Sequence, residues 1–362
     1  MKNNIYIFIV GALILGLFIF NFDLNKSKVE TKTSSRLWME YAMDLVREKK
    51  PTPPESSRFY ATVATAYFEA LENSKDEKIA NTAAVEIINY VYPDKVSSTT
   101  NFINTNNLKI SDDTSKVLDI LTKLKNRYES DNSKVYVKKV FATKNNPYWI
   151  GDKPFSPQAG QWQRWNTLGQ NFSVPTPPVF MGTVYLEELE QVKNAALNRT
   201  TEQAALVNFW GGVPGTEAPA GIWQNRFYDT TKDLKLSNPE YAKKQMILAQ
   251  AVADSFLECW QNKFAFNTKR PSMAAEISGQ EINLAMPNPP FPGYVSGHST
   301  ISFTAATVLA QLVPSKKEIY IKDAETAKNS RLWAGIHFPV DNEEGMKLGE
   351  KIGQYYIDNI IK

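Results

Sequence analysis

The segment NPEYAKKQMILAQAVADSFLECWQNKF (238–264) predicts one long, buried helix. Apolar residues fill most of its second half, which indicates a place in the protein core. No run of alternating apolar and polar residues predicts a β-strand, and no internal repeat is present. The sequence therefore predicts an all-α fold, a helical bundle in one domain. Further helical patterns occur in 36–50, 52–74, 81–92, 115–130, 183–208 and 299–313.

Two regions interrupt the helical pattern. Residues 140–182 include NNPYWIGDKPFSPQAGQWQRW and SVPTPPVF, and residues 210–223 read WGGVPGTEAPAGIW. Both regions are rich in proline, glycine and aromatic residues. Because aromatic rings need packing partners, we expect long ordered loops over one end of the bundle rather than flexible linkers.

The composition excludes several classes of protein. The chain has 362 residues, and its 41 basic and 38 acidic side chains leave a net charge of +3. Such a balance gives no support for nucleic acid as a partner. The single cysteine, Cys259, excludes an internal disulfide and a multi-cysteine metal site. It lies in the apolar run DSFLECW and is expected to be a small buried hydrophobic residue.

The first 25 residues differ from the rest of the chain. Lys2 precedes an uncharged run at 5–20 whose length fits a signal peptide or a signal anchor. We therefore expect export to the periplasm or the cell exterior, with cleavage and anchoring as alternatives. A polar tether is expected at 26–35, followed by a helical domain over 36–362. Only the N-terminal segment, if uncleaved, would contact a membrane.

Only two histidines are present, and each lies in a polar cluster. His298 belongs to FPGYVSGHST (291–300), where a Ser-Gly-His turn opens a predicted helix. Such a turn directs backbone N–H groups and the positive end of the helix dipole at one point, which favours an anion. The second histidine, His337, lies six residues after Arg331 and four before Asp341.

Fixed positive charges precede both histidines in the sequence. The stretch KFAFNTKRP contains Lys263, Lys269 and Arg270, and Pro271 is expected to force Arg270 into an extended conformation. Arginine offers forked donors and lysine a point charge, so these side chains suit a tetrahedral oxyanion such as phosphate. One histidine could bond the central atom while the other moves a proton.

These residues resemble a three-part signature shared by type 2 phosphatidic acid phosphatases, class A acid phosphatases and vanadium-dependent haloperoxidases. The signature lies within 255–345, and the likeness to bacterial haloperoxidases extends over about 36–356. One position departs from the pattern, because Val295 stands where the family usually has proline. The matching residues, in the family's order and spacing, are Lys263, Arg270, Pro271, Ser296, Gly297, His298, Ser330, Arg331, His337 and Asp341.

Two aromatic positions favour the haloperoxidase branch. Trp260 lies three residues before Lys263, and Phe291 lies seven before His298. Both resemble the pattern of vanadium chloroperoxidases and iodoperoxidases, in which such rings line the halide side of the pocket. Simple core packing is the alternative for both rings. Membrane phosphatases of the superfamily have several spans, and the soluble acid phosphatases lack the long N-terminal helical region.

The resemblance implies a role for each residue of the signature. His337 would bond vanadium in a haloperoxidase or act as the nucleophile in a phosphatase, so the bound group is vanadate or phosphate. His298 would be the acid and base that activates peroxide. The oxygens of the anion would be held by Lys263, Arg270, Ser296, Gly297 and Arg331.

For other residues the sequence leaves alternatives open. Asp341 could orient the neighbouring histidine as a carboxylate partner, cap the helix that follows Asp-Asn-Glu-Glu, or do both. Lys269 has no position in the signature and is expected to be solvated. Pairing of Asp254 with a site cation is considered but not favoured. Trp210 and Trp223, in the second loop region, are expected to be structural.

The resemblance favours an exported, vanadate-dependent haloperoxidase that oxidises halide with hydrogen peroxide. A phosphomonoesterase that acts on small phosphate esters through a phospho-histidine is the alternative, because vanadate resembles the transition state of phosphoryl transfer. A non-catalytic protein that binds phosphate or a lipid headgroup is a third hypothesis. The pair of histidines argues against it, since binding alone needs no proton shuttle. The sequence does not fix the halide.

Overall fold

The computed structural model describes residues 32–133, 146–151, 153–167 and 169–361. The predicted signal segment at 1–25 and most of the predicted tether lie outside these residues. Thr33–Lys362 forms one compact unit. Within the described part of the chain, no helix combines the length and the apolar character that a membrane span requires.

The described residues form thirteen α-helices and no β-strand, which confirms the predicted all-α class. The segment 183–208, predicted as helical, is divided into two helices. The helices are α1 (Ser34–Lys49), α2 (Pro53–Ser74), α3 (Glu77–Val91), α4 (Val96–Thr105), α5 (Leu118–Ser130), α6 (Thr183–Leu197), α7 (Thr201–Phe209), α8 (Ala218–Thr231), α9 (Asn238–Phe266), α10 (Pro271–Ile277), α11 (Gly297–Leu312), α12 (Lys317–Trp333) and α13 (Pro339–Asn359). Short 3-10 helices occur at Pro93–Lys95, Thr114–Val117, Ala159–Gln161, Lys232–Leu234 and Pro314–Lys316.

Helix α9 lies in the core of the fold, as predicted. The Ser237 side chain caps its first turn by accepting a hydrogen bond from the Glu240 amide. Every residue from 247 to 260 is buried, because α2 and α11 both pack along the helix. A helix that is covered all round is mostly apolar, and the few polar residues it buries, such as Asp254, must find hydrogen-bond partners.

Helices α11 and α13 approach each other closely. A methyl group on Gly349 of α13 would lie 2.3 Å from the carbonyl oxygen of Thr300 in α11, so any larger side chain would separate the helices. Their N-terminal ends therefore lie side by side. There the Ser296 amide donates a 2.8 Å hydrogen bond to the Asp341 carbonyl oxygen. This contact holds two parts of the predicted signature together.

Asp254 connects α9 to the first loop region. Its carboxylate is fully buried and accepts hydrogen bonds from three consecutive backbone amides, 165–167, and from the Tyr356 hydroxyl. The carboxylate is thus satisfied by the loop and by Tyr356, which agrees with the sequence analysis in not favouring a pair with a site cation. The described part of 140–182 is an ordered loop, as predicted, and it is helical only at Ala159–Gln161.

We expect Asp254→Asn to be strongly destabilising. The asparagine amide nitrogen would face N–H and O–H donors, so the free energy of unfolding should fall by about 3 kcal/mol. Urea unfolding followed by circular dichroism would measure the change. Glu240→Gln, at an exposed position at the start of the same helix, is the control and should change the value by less than about 0.5 kcal/mol. An unchanged midpoint for Asp254→Asn would show that the loop does not depend on this carboxylate.

The second predicted loop, 210–223, is partly wrong because α8 begins at Ala218. Pro219 lies in the first helical turn, where its missing N–H leaves no hydrogen bond unmade, so it starts the helix instead of breaking it. Trp223 therefore lies on α8, with its ring centroid 5.6 Å from that of Trp210. Both rings are buried, which confirms their predicted structural role.

Candidate active site

A cavity of about 270 Å³ brings both histidines together. His298 and His337 line it with Arg331, and most of the remaining wall is formed by apolar and proline-rich segments. His298 lies in the first turn of α11, Arg331 in the last turn of α12 and His337 just before α13, and these helix ends meet because the helices pack together. The structure thus joins residues that are far apart in the sequence around one space.

Lys263 lies in the last turn of α9 and is fully buried. Its Nζ donates hydrogen bonds to the carbonyl oxygens of Pro292 and Gly293 at 2.9 and 2.7 Å. These neutral acceptors hold the ammonium group in place without cancelling its charge. A methyl group on Gly297 would come within 3.9 Å of the lysine Cε. Lys263 therefore lies beside the turn that opens α11.

Arg270 has an extended backbone immediately before α10, as the following proline predicts. Its Nε donates to the Phe291 carbonyl oxygen at 3.0 Å and its Nη1 to the Ile336 carbonyl oxygen at 2.8 Å. Its Nη2 is buried and has no hydrogen-bond partner among the described residues. An unpaired guanidinium N–H is costly in a protein interior, so this atom indicates a bound group with acceptor oxygens.

Arg331 lies in the last turn of α12 and is also buried. Its Nε donates to the Ser330 hydroxyl at 3.0 Å. The terminal nitrogens make weaker contacts: Nη1 lies 3.6 Å from the Met286 sulfur, and Nη2 lies 3.5 Å from the Val207 carbonyl oxygen. Thioether sulfur is a poor acceptor, so Arg331 can still bind an anion strongly.

His337 is buried and is oriented by Asp341. Its Nδ1 lies 2.9 Å from Asp341 Oδ2, which also accepts the Phe338 amide at 3.1 Å. Because an ionised carboxylate only accepts, we assign the proton of the neutral ring to Nδ1 and the lone pair to Nε2. Nε2 lies 3.2 Å from Arg270 Nη1. It is the atom that could bond the centre of an oxyanion.

The predicted helix cap at Asp341 is wrong in register. Helix α13 begins at Pro339, so Phe338 is the N-cap residue and Asp341 is the third residue of the helix. The carboxylate reaches back to the N-cap amide, which satisfies one of the free donors at the helix start. The orienting contact with His337, the other alternative, is present in the structure.

His298 is fixed by a backbone contact that the sequence did not reveal. Its Nε2 lies 2.7 Å from the carbonyl oxygen of Trp210. A carbonyl only accepts, so Nε2 must donate, and Nδ1 is the acceptor atom of the neutral ring. Ser296 caps the same helix, and its hydroxyl oxygen accepts the Ser299 amide at 3.4 Å. The hydroxyl hydrogen can therefore be donated to another acceptor.

Burial and the neighbouring cations lower the pKa of both histidines well below its ordinary value. For His298 burial is the largest cause and Arg331 the next, and for His337 burial is followed by Arg270. Burial also lowers the pKa of Lys263, to about 7, against a favourable contribution from Asp341. A bound anion would oppose these shifts, since it stabilises every protonated form in the site.

We expect oxyanion binding to weaken as the pH rises above the Lys263 pKa. Above about pH 7 the free protein must take up a proton to restore the ammonium group, so affinity should fall by up to about tenfold per pH unit. Any proton taken up by the histidines on binding would also make the affinity fall as the pH rises. Calorimetric titration with tungstate, a dianion throughout about pH 6 to 9, would measure this. Lys263→Met is the control. It should bind tungstate more weakly, and its affinity should depend less on pH. A tungstate affinity of the unchanged protein that does not vary with pH would contradict the lowered pKa of Lys263.

An aromatic wall adjoins the cations. The ring centroids of Trp260 and Phe291 lie 4.8 Å apart, and Phe155 lies 6.3 Å from Phe291. Lys263 Nζ and Arg270 Cζ lie 5.3 and 5.0 Å from the Phe291 ring centroid, within cation–π range. All three rings line the cavity and also pack in the core. For Trp260 and Phe291 the sequence offered a pocket position and simple core packing as alternatives. In the structure both rings do both.

Two single-residue predictions near the site have opposite outcomes. Lys269 is buried, and its Nζ donates to the Tyr148 carbonyl oxygen at 2.7 Å, so the predicted solvated side chain is wrong. The backbone of the first loop region covers it, which residue type alone does not indicate. Cys259 is fully buried, as predicted, and its thiol contacts the carbonyl oxygen of Val295.

Three parts of the site were not predicted from the sequence. They are the Phe155 ring, the Met286 side chain and the backbone carbonyl of Trp210. Met286 opens the stretch MPNPPF, which ends at Phe291. That proline-rich stretch could have placed Met286 near the pocket. Phe155 and Trp210 come from distant loops, and no local pattern connects them to the signature.

Two histidines and the buried Arg331 thus line one cavity of an all-α body, and the buried Lys263 and Arg270 lie beside the Phe291 ring in its wall. Such a set of cations and ring nitrogens suits an oxyanion. Residues 245–357 match the family model of the PAP2 superfamily. This match extends from α9 to α13 and includes the whole signature. The predicted resemblance to this superfamily is confirmed. No curated protein matches the chain at a significant level.

The fold is similar to those of solved bacterial haloperoxidases. A structure described as the first bacterial vanadium-dependent iodoperoxidase superposes with a TM-score of 0.77 at 18% identity, covering 91% of this chain and 97% of that chain. Holo-type and apo-type bacterial vanadium-dependent chloroperoxidase give TM-scores of 0.67 and 0.65 at 14% and 15% identity. Both cover 86% of this chain and 96% of the other. This chain therefore has the all-α vanadium haloperoxidase fold.

The residues of the site fit a bound vanadate or phosphate. Arg270 Nη2 is buried without a partner, and Arg331 has only weak acceptors at its terminal nitrogens. These donors need several acceptor oxygens close together, which a tetrahedral oxyanion provides. His337 Nε2 adds a lone pair of the kind that can bond the central atom.

Proposed function

We propose that this protein is a vanadate-dependent haloperoxidase that oxidises halide with hydrogen peroxide. The observation that carries the proposal is the position of the Trp260 and Phe291 rings, which line the same cavity as both histidines beside under-bonded cations. Such a cavity offers an oxyanion site next to an apolar surface. The similarity of the whole helical body to a bacterial iodoperoxidase supports the same conclusion.

Each polar residue has a defined task in this function. His337 Nε2 would bond the vanadium, and the oxygens would be held by Lys263, Arg270, Ser296, Gly297 and Arg331. When bound, vanadate would supply a Lewis-acid centre that polarises peroxide without changing oxidation state. Asp341 keeps the proton on His337 Nδ1, so Nε2 carries a lone pair, which here accepts a hydrogen bond from Arg270 Nη1. The fixed cations stabilise negative charge on the oxygens throughout the reaction.

His298 moves the proton. Its neutral ring accepts at Nδ1, because Nε2 is committed to the Trp210 carbonyl, and its lowered pKa keeps the ring of the free protein neutral at neutral pH and thus able to accept a proton. In the overall reaction the halide gives two electrons to peroxide, the O–O bond breaks and a halogen–oxygen bond forms. His298 can take a proton from peroxide and return it to the departing oxygen, which leaves as water. One further proton from solvent completes the products, hypohalous acid and water.

The aromatic wall assists halide oxidation in two ways. The Trp260 and Phe291 rings exclude water from one side of the site, which strengthens the attraction between a halide ion and the nearby cations. Phe291 has no hydrogen-bond donor, and the indole N–H of Trp260 is committed to the Phe155 carbonyl oxygen at 3.0 Å, so these rings leave the electrons of the halide available for attack on peroxide. Lys263 and Arg270, next to the Phe291 ring, supply the positive charge that draws the anion in.

A phosphomonoesterase that acts through a phospho-histidine is the second candidate. The specific observation in its favour is the Asp341–His337 pair, because a carboxylate that holds Nδ1–H leaves Nε2 as a nucleophile. The lowered pKa of His298 is less favourable, since a phosphatase needs a protonated acid for its leaving group.

One experiment separates these functions. The purified full chain, loaded with vanadate, would be assayed for peroxide-dependent oxidation of bromide and iodide, and the vanadate-free protein for hydrolysis of a phosphate monoester. We expect halide oxidation that requires vanadate and that inorganic phosphate suppresses by competition. Ester hydrolysis without halide oxidation would favour the phosphatase. Tight phosphate binding with neither activity would favour the binding protein.

We also propose that the protein works outside the cytoplasm. The support is the uncharged run at 5–20, which follows Lys2 and precedes a polar segment. Fractionation of cells that express the full chain would test the proposal, with N-terminal sequencing to distinguish a cleaved signal from an anchor. Recovery of the uncleaved chain in the cytosol would contradict it.

A further inference from the structure

Met286 places a thioether inside the candidate active site. Its sulfur lies 3.6 Å from Arg331 Nη1, and its side chain lines the cavity together with His298 and His337. The residue is only partly buried, so a small molecule in the cavity can reach it. The proposed halide oxidation assigns no role to this sulfur.

We propose that Met286 is oxidised to its sulfoxide by the oxidant that the site produces, and that the sulfoxide then weakens anion binding through Arg331. The source of the oxidant rests on the proposed function. Hypohalous acid transfers its oxygen to the thioether: a sulfur–oxygen bond forms and the oxygen–halogen bond breaks. Sulfur loses two electrons, the halogen leaves as halide, and the proton goes to solvent. Met sulfoxide is polar and can be reduced again enzymatically.

The effect on Arg331 follows from its present contacts. Nη1 donates to a weak acceptor, the Met286 sulfur, and Nη2 has only a long contact with the Val207 carbonyl oxygen. A sulfoxide oxygen accepts much more strongly than a thioether and would be attached to a sulfur that already touches Nη1. It would therefore compete with a bound oxyanion for the same N–H. Loss of one charge-assisted hydrogen bond should weaken oxyanion binding about tenfold.

Met346 provides a matched internal control. Its sulfur lies 3.7 Å from Lys328 Nζ, so it too is a thioether in contact with a cation. It is partly buried, like Met286, but it does not line the cavity. An oxidant in bulk solvent should reach both residues, whereas an oxidant formed in the cavity should reach Met286 first.

The first experiment follows oxidation by peptide mass spectrometry. The vanadate-loaded full chain turns over with peroxide and iodide or bromide, and a second sample receives reagent hypohalous acid. We expect the ratio of Met286 to Met346 sulfoxide to be several-fold higher during turnover than with the reagent. Equal ratios, with halide oxidation running, would overturn the inference and leave the proposed function intact. Absence of halide oxidation would refute the proposed function and, with it, the internal source of oxidant.

The second experiment tests the consequence and does not depend on turnover. Tungstate affinity would be measured by calorimetry before and after reagent oxidation, for the unchanged protein and for Met286→Leu, which cannot form a sulfoxide. We expect about a tenfold loss for the unchanged protein, reversed by methionine sulfoxide reductase, and no loss for Met286→Leu. Equal affinities before and after complete Met286 oxidation would overturn the blocking role. An equal loss in Met286→Leu would assign the effect to another residue and overturn it too.

Discussion

His337→Ala is expected to lower halide oxidation by at least about 10³-fold. The imidazole Nε2 offers the lone pair that would bond the central atom of the oxyanion, and alanine leaves only space there. Oxyanion binding should fall much less, because Lys263, Arg270 and Arg331 remain in place. Initial rates of iodide oxidation, measured at saturating vanadate, would give the loss, and tungstate calorimetry would give the residual affinity.

Two controls make the His337→Ala result specific. Added imidazole should restore part of the activity, because the small ring can enter the space that the substitution creates. Lys351→Ala, at an exposed position of α13, should leave activity unchanged. Circular dichroism should show the same helical content for both variants. Activity of His337→Ala within about tenfold of the unchanged protein would show that His337 is not a catalytic residue.

Much of the fold could be predicted because helical periodicity is a local property. The second half of α9 is largely apolar, and the structure buries it between α2 and α11. The polar residues of the site could be gathered from the sequence because their types and spacings form a signature. Pro271, for example, forces the extended backbone that brings Arg270 to the Phe291 and Ile336 carbonyls.

What the sequence could not provide depends on contacts between distant segments. Lys269 resembles any surface lysine until the loop backbone at Tyr148 covers it. Asp254 resembles a candidate ion-pair partner until three loop amides converge on it. Asp341 has the features of a cap and therefore predicts a start of α13 that is too late, because Pro339 already begins the helix. The errors are those at Lys269 and Asp341, and both concern which partner a polar group finds, which tertiary structure decides.

Asp341→Asn separates the orientation of His337 from the binding of the anion. The asparagine loses the charge that supports Nδ1–H, and its amide nitrogen can replace the accepting oxygen, which favours the wrong tautomer. We expect halide oxidation to fall by about 10² to 10⁴-fold. The oxyanion affinity, measured below the pKa of Lys263, should weaken by less than about tenfold, because removal of a carboxylate makes the site more positive.

In Asp341→Asn the rate of halide oxidation should therefore fall much more than the oxyanion affinity. Nitrogen NMR of the labelled protein, with only two histidines to assign, would show whether the proton of His337 has moved from Nδ1 to Nε2. Asp341→Glu keeps the charge but displaces the carboxylate, so it should retain the anion affinity and lose activity through geometry alone. A parallel fall of activity and affinity in Asp341→Asn, with the tautomer unchanged, would mean that Asp341 builds the anion site rather than orienting His337.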